Sequence, residues 1–282
     1  MKKCTFLYFL PVFLMLAFPF KTVAGDYLRG DNNEDGAVNI ADVTCLIDYL
    51  LSNEWPYNPL KPEVTTFTAN GVSFNMVKVE GGTFWMDHTG DYKVRLSTYY
   101  IGQTEVTRML WYAVMGTDPS EFKGDLTRPV EMVSWDDCQQ FITKLNQLTG
   151  RKFRLPTEAE WAFAARGGNL SCGYLYSGSE NVGEVAWYEE NASKTQPVAT
   201  KAPNELGIYD MIGNVWEWCQ DWYGEYPSGT YTNPQGPETG TARVFKGGSW
   251  HSPASNCTIG TRSHTAPDNQ VNHRGFRIAL KA

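Results

Sequence analysis

The stretch Gly207-Ile208-Tyr209-Asp210-Met211-Ile212-Gly213-Asn214-Val215-Trp216-Glu217-Trp218 decides how the chain is read. It lies in a long region after Gly168 that shows no sustained helical period and reads as loops and short strands carrying Trp, Tyr and Gly. Upstream the grammar changes. Thr107 to Met115 reads as a short helix stopped by Gly116. Ser134-Trp135-Asp136-Asp137 is a capping box, followed by an apolar stripe of Cys138, Phe141, Ile142, Leu145 and Leu148 up to Gly150. Thr157-Glu158-Ala159-Glu160 opens a further helix through Trp161 that ends at Gly167-Gly168. Phe74 to Val79, leading into Gly81 to Met86, reads as an extended pair joined by a glycine turn. The fold class expected from about residue 71 to 282 is α+β, with a loop-rich C-terminal half.

Composition supports a globular reading. The 282 residues are 42% hydrophobic, 20% charged and 14% aromatic, with 10 Trp and 26 Gly, which excludes wholesale disorder and a fibrous rod. The formal charge of −7 argues against a nucleic-acid partner, which needs a basic face.

The first 24 residues carry Lys2 and Lys3, an almost wholly apolar run over 5–20, and a small-residue end at Ala24. That is the layout of a secretory signal cleaved near Ala24, so a secreted, periplasmic or cell-surface location without a transmembrane anchor is expected. Cleavage removes Lys2, Lys3, Lys21 and Cys4. It leaves 21 basic against 31 acidic residues, a charge of −10, and the five cysteines Cys45, Cys138, Cys172, Cys219 and Cys257. With an odd number, at least one is a free thiol or pairs with another chain.

Most of the mature negative charge lies in residues 25–54. The run from Asp31 to Asp42 places Asp31, Asn33, Asp35, Asn39 and Asp42 at positions 1, 3, 5, 9 and 12 of a calcium loop, with Gly36 at the sharp turn and the Ala37 carbonyl at position 7. An apolar helix face of Val43, Leu46, Ile47, Leu50 and Leu51 follows. Residues 25–52 resemble one half of a type I dockerin, with Asp rather than Glu at the last loop position. The resemblance implies Ca²⁺ and, for a complete two-loop module, a cohesin-like or other extracellular protein partner. Residues 53–70, with Pro56, Pro59 and Pro62, read as a linker.

Four motifs in order then carry a second resemblance: Arg154-Leu155-Pro156-Thr157-Glu158-Ala159-Glu160-Trp161, the quoted stretch, Gly247-Gly248-Ser249-Trp250, and Gly275-Phe276-Arg277. Together they resemble the formylglycine-generating enzyme (sulfatase-modifying factor) family, which implies a C-type-lectin-like fold. The family's name-giving members oxidise a cysteine in a C-x-P-x-R sulfatase segment, using O₂ and a copper ion held by two cysteines. The family pattern places Ser252 at the first of these positions and Cys257 at the second. A hydroxyl is a hard donor and does not replace a thiolate towards Cu(I), so copper and the copper oxidase activity are not expected.

Cys257, Ser249 and Trp216 are the catalytic candidates should chemistry survive, with loop pinning weighed above catalysis for the last two. Cys257 alone reads as a nucleophile, half of a disulfide with Cys172, or an idle thiol. His251, His264 and His273 fall near Cys257 in sequence, an arrangement that a borderline metal could use. The resemblance also implies a calcium site at Asp210, Gly213, Val215 and Glu217, the alternative being a Glu217 satisfied by backbone amides. The expected function is a calcium-stabilised binding or scaffold module whose aromatic loops offer a glycan or peptide platform. The competing expectation is a modifying enzyme.

Overall fold

Asn70 and Gly71 both take positive φ, 45° and 81°. A two-residue hairpin turn of the primed type needs that backbone, which Asn and Gly tolerate best. The turn joins Val64–Ala69 (β1) to Val72–Val79 (β2), with Ala69 opposite Val72 and Val64 opposite Val77. The computed structural model describes residues 63–282 except residue 88. The export signal, the calcium loop Asp31–Asp42 and residues 53–62 of the linker therefore lie outside the described residues. Strand β1 falls inside the stretch read as linker: the β-branched Val64, Thr65, Thr66 and Thr68 pair with β2 while Phe67 packs on Phe74 and Phe153.

The glycines that follow do not fold β2 back on itself. Gly82 exchanges backbone hydrogen bonds with Leu96, and a Cβ on Gly81 would stand 2.6 Å from the Leu96 carbonyl oxygen. The chain therefore leaves one sheet for another, where Thr83–Trp85 (β3) pairs with Tyr92–Arg95 (β4). Tyr99–Gly102 (β5) then returns to pair with β2.

All three expected helices form, although Thr107 caps the first rather than lying within it and the third ends at Ala165, short of Gly167-Gly168. Thr107 caps Arg108–Met115 (α1), which stops at Gly116 in the left-handed conformation. Ser134 and Asp137 close the box on Trp135–Thr149 (α2), ended by Gly150. After Phe153–Arg154 (β6), Thr157 and Glu160 do the same for Glu158–Ala165 (α3). Every residue of α3 is buried, so it is a central helix with no solvent face. Beyond it the only further α-helix among the described residues is the single turn Val182–Val185 (α4). The strands are Trp216–Trp222 (β7), Gly229–Thr232 (β8), Arg243–Lys246 (β9), Arg262–Thr265 (β10), Arg274–Gly275 (β11) and Ala279–Lys281 (β12).

Among the described residues three sheets result, in the orders β1-β2-β5-β12-β6, β10-β9-β7-β11 and β3-β4-β8. The C-terminal β12 closes the first between β5 and β6, so the last residues are part of the frame that positions Gly275-Phe276-Arg277. Helices α1 and α2 share one core, where Trp111 stacks on Phe141 at 5.2 Å and both meet the edge of Phe276. Helix α3 packs into a second core with Val77, Val79, Tyr99 and Ile101. Burying each large apolar side chain stabilises by roughly 1.5–3 kcal/mol, and the many tryptophans supply that in a chain with few long elements. The coarse α+β reading holds: mixed, sheet-rich architecture with few helices.

Candidate functional site

The quoted stretch turns sharply and then becomes β7. Asp210, Gly213 and Asn214 all take positive φ, between 53° and 78°, and a Cβ on Gly213 would lie 2.5 Å from the Trp187 carbonyl. The turn delivers Glu217 into the interior. Its carboxylate accepts from Arg277 at both oxygens, Nε to Oε2 at 2.6 Å and Nη2 to Oε1 at 2.7 Å, and from Trp161 Nε1 at 2.7 Å. Arg277 donates further to the carbonyls of Gly102, Tyr209 and Asp210. This is a charge-assisted, bidentate pair with no solvent contact.

Two more buried carboxyls surround it. Glu105 accepts from the Asn214 side chain at 2.9 Å and the Val215 N–H at 3.3 Å. Asp210 Oδ2 accepts from the Ala199 N–H at 2.7 Å, whereas its Oδ1 is buried without a partner. Burial pushes the Asp210 carboxyl up to about 6. Burial, and then the Asp210 and Glu217 charges, push Glu105 well above the ordinary carboxylate range. Burial also raises Glu217, with Arg277 pulling the other way. Of the expected calcium ligands, Asp210 keeps an uncommitted oxygen. Glu217 does not, because both its oxygens accept from the side chains of Arg277 and Trp161, and not from the backbone amides that were the alternative.

The copper-site counterpart lies next to Gly247 and Gly248, both in the left-handed region, and the Cys257 sulfur sits 2.7 Å from where a Gly248 Cβ would be. Ser249 and Ser252 are buried and joined hydroxyl to hydroxyl at 3.1 Å, and Ser252 Oγ also accepts the Ser249 N–H. Cys257 is fully buried, its thiol pushed up to about 12 by that burial. The three residues thus come together, but as a hydroxyl pair beside a protonated thiol. That donor set does not fit Cu(I), which needs two soft thiolates. Trp216 is buried with its ring against the edge of Phe245, in keeping with a packing role.

Cys257 forms no disulfide among the described residues, so the bond to Cys172 considered above is not made. The histidines divide. His251 and His273 rings lie 6.2 Å apart beside Trp250, with burial holding His273 down at about 4, while His264 stacks on Tyr223 at 3.7 Å on β10. Among the described residues no three His, Cys, Asp or Glu side chains gather in a way that could hold a metal ion. Sequence reasoning missed Glu105 as the acid facing Asp210. Nothing local marks it, since its partners lie more than a hundred residues away.

The family described as "Sulfatase-modifying factor enzyme 1-like domain" matches residues 62–282. The chain belongs to this family. A protein named chaperone protein LppX from Paenibacillus barcinonensis is 36% identical over 67% of this chain and 82% of its own length. A formylglycine-generating enzyme from Thermomonospora curvata is 39% identical, over 54% of this chain and 55% of the enzyme. Among solved structures, Treponema denticola variable protein 1 superposes with a TM-score of 0.73 at 33% identity, covering 78% of this chain and all of that one. PvdO from Pseudomonas aeruginosa, at 21% identity and a TM-score of 0.65, shares the fold. The match begins at residue 62, ahead of the boundary at 71, consistent with β1 belonging to the domain. Relatives in the same family thus carry an enzyme's name and a chaperone's name. Among the described residues no helix is long and apolar enough to cross a membrane.

Proposed function

We propose that this protein is a binding or scaffold member of the sulfatase-modifying factor family, without the two-cysteine copper oxidase. The observation that carries this reading is the buried Ser249–Ser252 hydroxyl pair at 3.1 Å, where the oxidase chemistry needs a thiolate opposite Cys257. Incubation of the purified protein with Cu(I), O₂ and a C-x-P-x-R peptide leaves the peptide mass unchanged under this proposal. Conversion of its cysteine to formylglycine would restore the enzyme reading, with Cys257, Ser249 and Trp216 as its residues. Ser252→Cys asks whether the rest of the site is intact, and a gain of Cu(I) binding is the expected result.

Calcium belongs to the same proposal. Glu105, Asp210 and Glu217 face one guanidinium, so when ionised they leave two negative charges, which a divalent cation balances. Asp210 supplies the orphaned oxygen and the Gly213 and Val215 carbonyls join it as the family resemblance implies, while Glu217, held by Arg277 and Trp161, and Glu105, held by Asn214 and Val215, contribute charge rather than a free oxygen. Thermal unfolding with and without Ca²⁺ tests this: Asp210→Asn removes most of the main domain's calcium-dependent rise, while Asp31→Asn removes the part owed to the N-terminal loop.

The half-dockerin-like loop, export by cleavage near Ala24, a cohesin-like or other extracellular protein partner, and a glycan or peptide ligand on a C-type-lectin-like surface complete the reading. Support comes from the loop spacing, the charged-then-apolar N-terminus, and the aromatic loops of residues 171–265. The intact mass of protein secreted from an expressing cell tests the cleavage.

A further inference from the structure

A cavity of about 390 Å³ opens where β4, β7, β8 and β10 meet the first turn of α3. Its wall includes Tyr92, Asp221, Tyr226, Tyr231 and Arg262, and its collar is Pro227, Pro234 and Pro237. None of Ser249, Ser252 and Cys257 lines it, so it is separate from the site treated above. The volume falls within the range of small-molecule pockets, which pair an apolar wall with a few placed polar groups.

The polar groups here are unequally committed. Arg262 donates to Glu158 Oε2 at 2.9 Å and to the Gly224 carbonyl at 3.0 Å. The Tyr226 hydroxyl donates to Glu158 Oε1 at 2.6 Å, and the Tyr231 hydroxyl reaches the Ser228 carbonyl at 3.4 Å. Apart from Arg262 Nε, which stands 2.8 Å from Glu158 Oε1 without making a hydrogen bond, these side chains spend their donors on the protein. Asp221 is different. It is 5% exposed, its Oδ2 accepts the Glu158 N–H at 2.8 Å, and its Oδ1 receives no side-chain donor among the described residues. The Tyr92 hydroxyl on the same wall accepts as readily as it donates, and the exposed Glu225 adds a further negative charge at the wall.

The aromatic rings point to the same chemistry. Tyr92 lies 5.2 Å from Tyr226 and 5.6 Å from the 41%-exposed Tyr231, so the three make a continuous aromatic corner. One cation already uses this surface, with the Arg262 guanidinium 4.2 Å over the Tyr226 ring. A wall with spare acceptors, ring faces and a buried carboxyl suits a ligand that only donates and carries positive charge. A sugar, which must both donate and accept around each hydroxyl, would find few side-chain donors free.

We propose that this cavity binds the ammonium or guanidinium end of a flexible alkyl arm, with the charged head against Asp221 and the arm along Tyr231 and the proline collar. The site stands independently of the calcium and copper readings. Burial otherwise keeps the Asp221 carboxyl protonated up to about pH 8, so the docking head displaces that proton to solvent and supplies N–H donors to the carboxylate, while the rings shield it from water.

Titration calorimetry of the full chain with agmatine, against butane-1,4-diol and glucose, tests the proposal. Saturable agmatine binding at least tenfold tighter than either neutral probe is expected. Tyr231→Ala, a change at a partly exposed rim residue, weakens agmatine by about tenfold, the scale of a partly desolvated cation–π contact. Asp221→Asn weakens it further, and circular dichroism shows whether that variant keeps its fold, since Asp221 also accepts from the start of α3. An acetyl-Gly-Arg-Gly-amide peptide distinguishes sources: tighter binding than agmatine means a head presented on a polypeptide, weaker binding a free amine, and either supports the chemistry. Absence of saturable cation binding, equal binding of the neutral probes, or an agmatine affinity unchanged in Tyr231→Ala overturns it.

Discussion

Two buried ionic clusters touch Trp161, and they are built differently. In one, the indole donates to Glu217, which Arg277 grips with two nitrogens while reaching three backbone carbonyls. In the other, the Lys246 ammonium stands 5.6 Å over the same ring, 3.9 Å from Glu158 and 3.3 Å from the Gly260 carbonyl. Both cations are at most 1% exposed. A guanidinium with an acceptor at every nitrogen recovers its desolvation cost through geometry, whereas a compact ammonium with loose partners recovers little. Burial alone therefore says nothing about how much a charge holds the fold together. The same substitution in both clusters separates the two cases.

Arg277→Met carries the largest expected effect. It strips Glu217 of its counter-ion and orphans three carbonyls where three carboxyls already crowd one another, and breaking one side of a buried pair costs roughly 3–5 kcal/mol. The variant should unfold at markedly lower urea or be recovered only as aggregate. A midpoint within a few tenths molar of the parent would show that the cluster is dispensable.

The clusters also titrate in different windows. Burial lifts Asp210 from 3.8 to about 6 and Asp221 from 3.8 to about 8. A carboxyl with a raised folded value holds its proton in the native state after the unfolded chain has released it, so stability falls as pH rises across that gap. The decline runs from about pH 4 to about 6 for Asp210 and on to about 8 for Asp221. Carboxyls held low by hydrogen bonds, such as Asp87 with Thr89 and Asp125 with Thr127, act the other way, their contribution being lost as pH falls below about 4. Urea midpoints measured in calcium-free buffer at half-unit steps should show this decline. Asp221→Asn removes its portion between about pH 6 and 8, and Asp210→Asn weakens it below about 6. Identical profiles for the two variants would mean that the clusters are not electrically distinct.

Sequence reading reached these elements unevenly, for a physical reason. Thr107, Ser134 with Asp137, and Thr157 with Glu160 signal helix starts within four residues, so caps are legible without tertiary context. The Asn70-Gly71 turn has an equally local signature, yet sequence reading misses it, because it and the strand before it follow the proline-rich stretch that reads as a linker. The Arg277 cluster needs Glu105, Asp210 and Glu217 brought together from positions 60 or more residues distant. The motif marks Arg277 as special but not what it touches. The absent second thiolate at Ser252 was visible as a position, whereas its hydroxyl bond to Ser249 was not. The aromatic corner draws Tyr92, Tyr226 and Tyr231 from β4, from beyond β7 and from β8, and the parallel β4–β8 pairing that joins two of them has no local signature.

Lys246→Met has the smallest expected effect and sharpens the comparison most. Methionine has a similar length and no charge to desolvate, and Glu158 keeps Arg262 and Tyr226 after the change, so no carboxylate is stranded. Replacing a loosely partnered buried charge by an apolar side chain of similar volume is often neutral or stabilising, and a shift within about 1 kcal/mol of the parent is expected at neutral pH. Burial lowers Lys246 from 10.5 to about 8, so the unfolded chain holds that proton between these values while the folded protein has lost it. By linkage this lysine makes stability rise from about pH 8 to 10.5, and the methionine variant should lose that rise while remaining as stable as the parent at pH 7. A loss of 3 kcal/mol or more, on the scale expected for Arg277, would mean that Lys246 is held by more than its distances show.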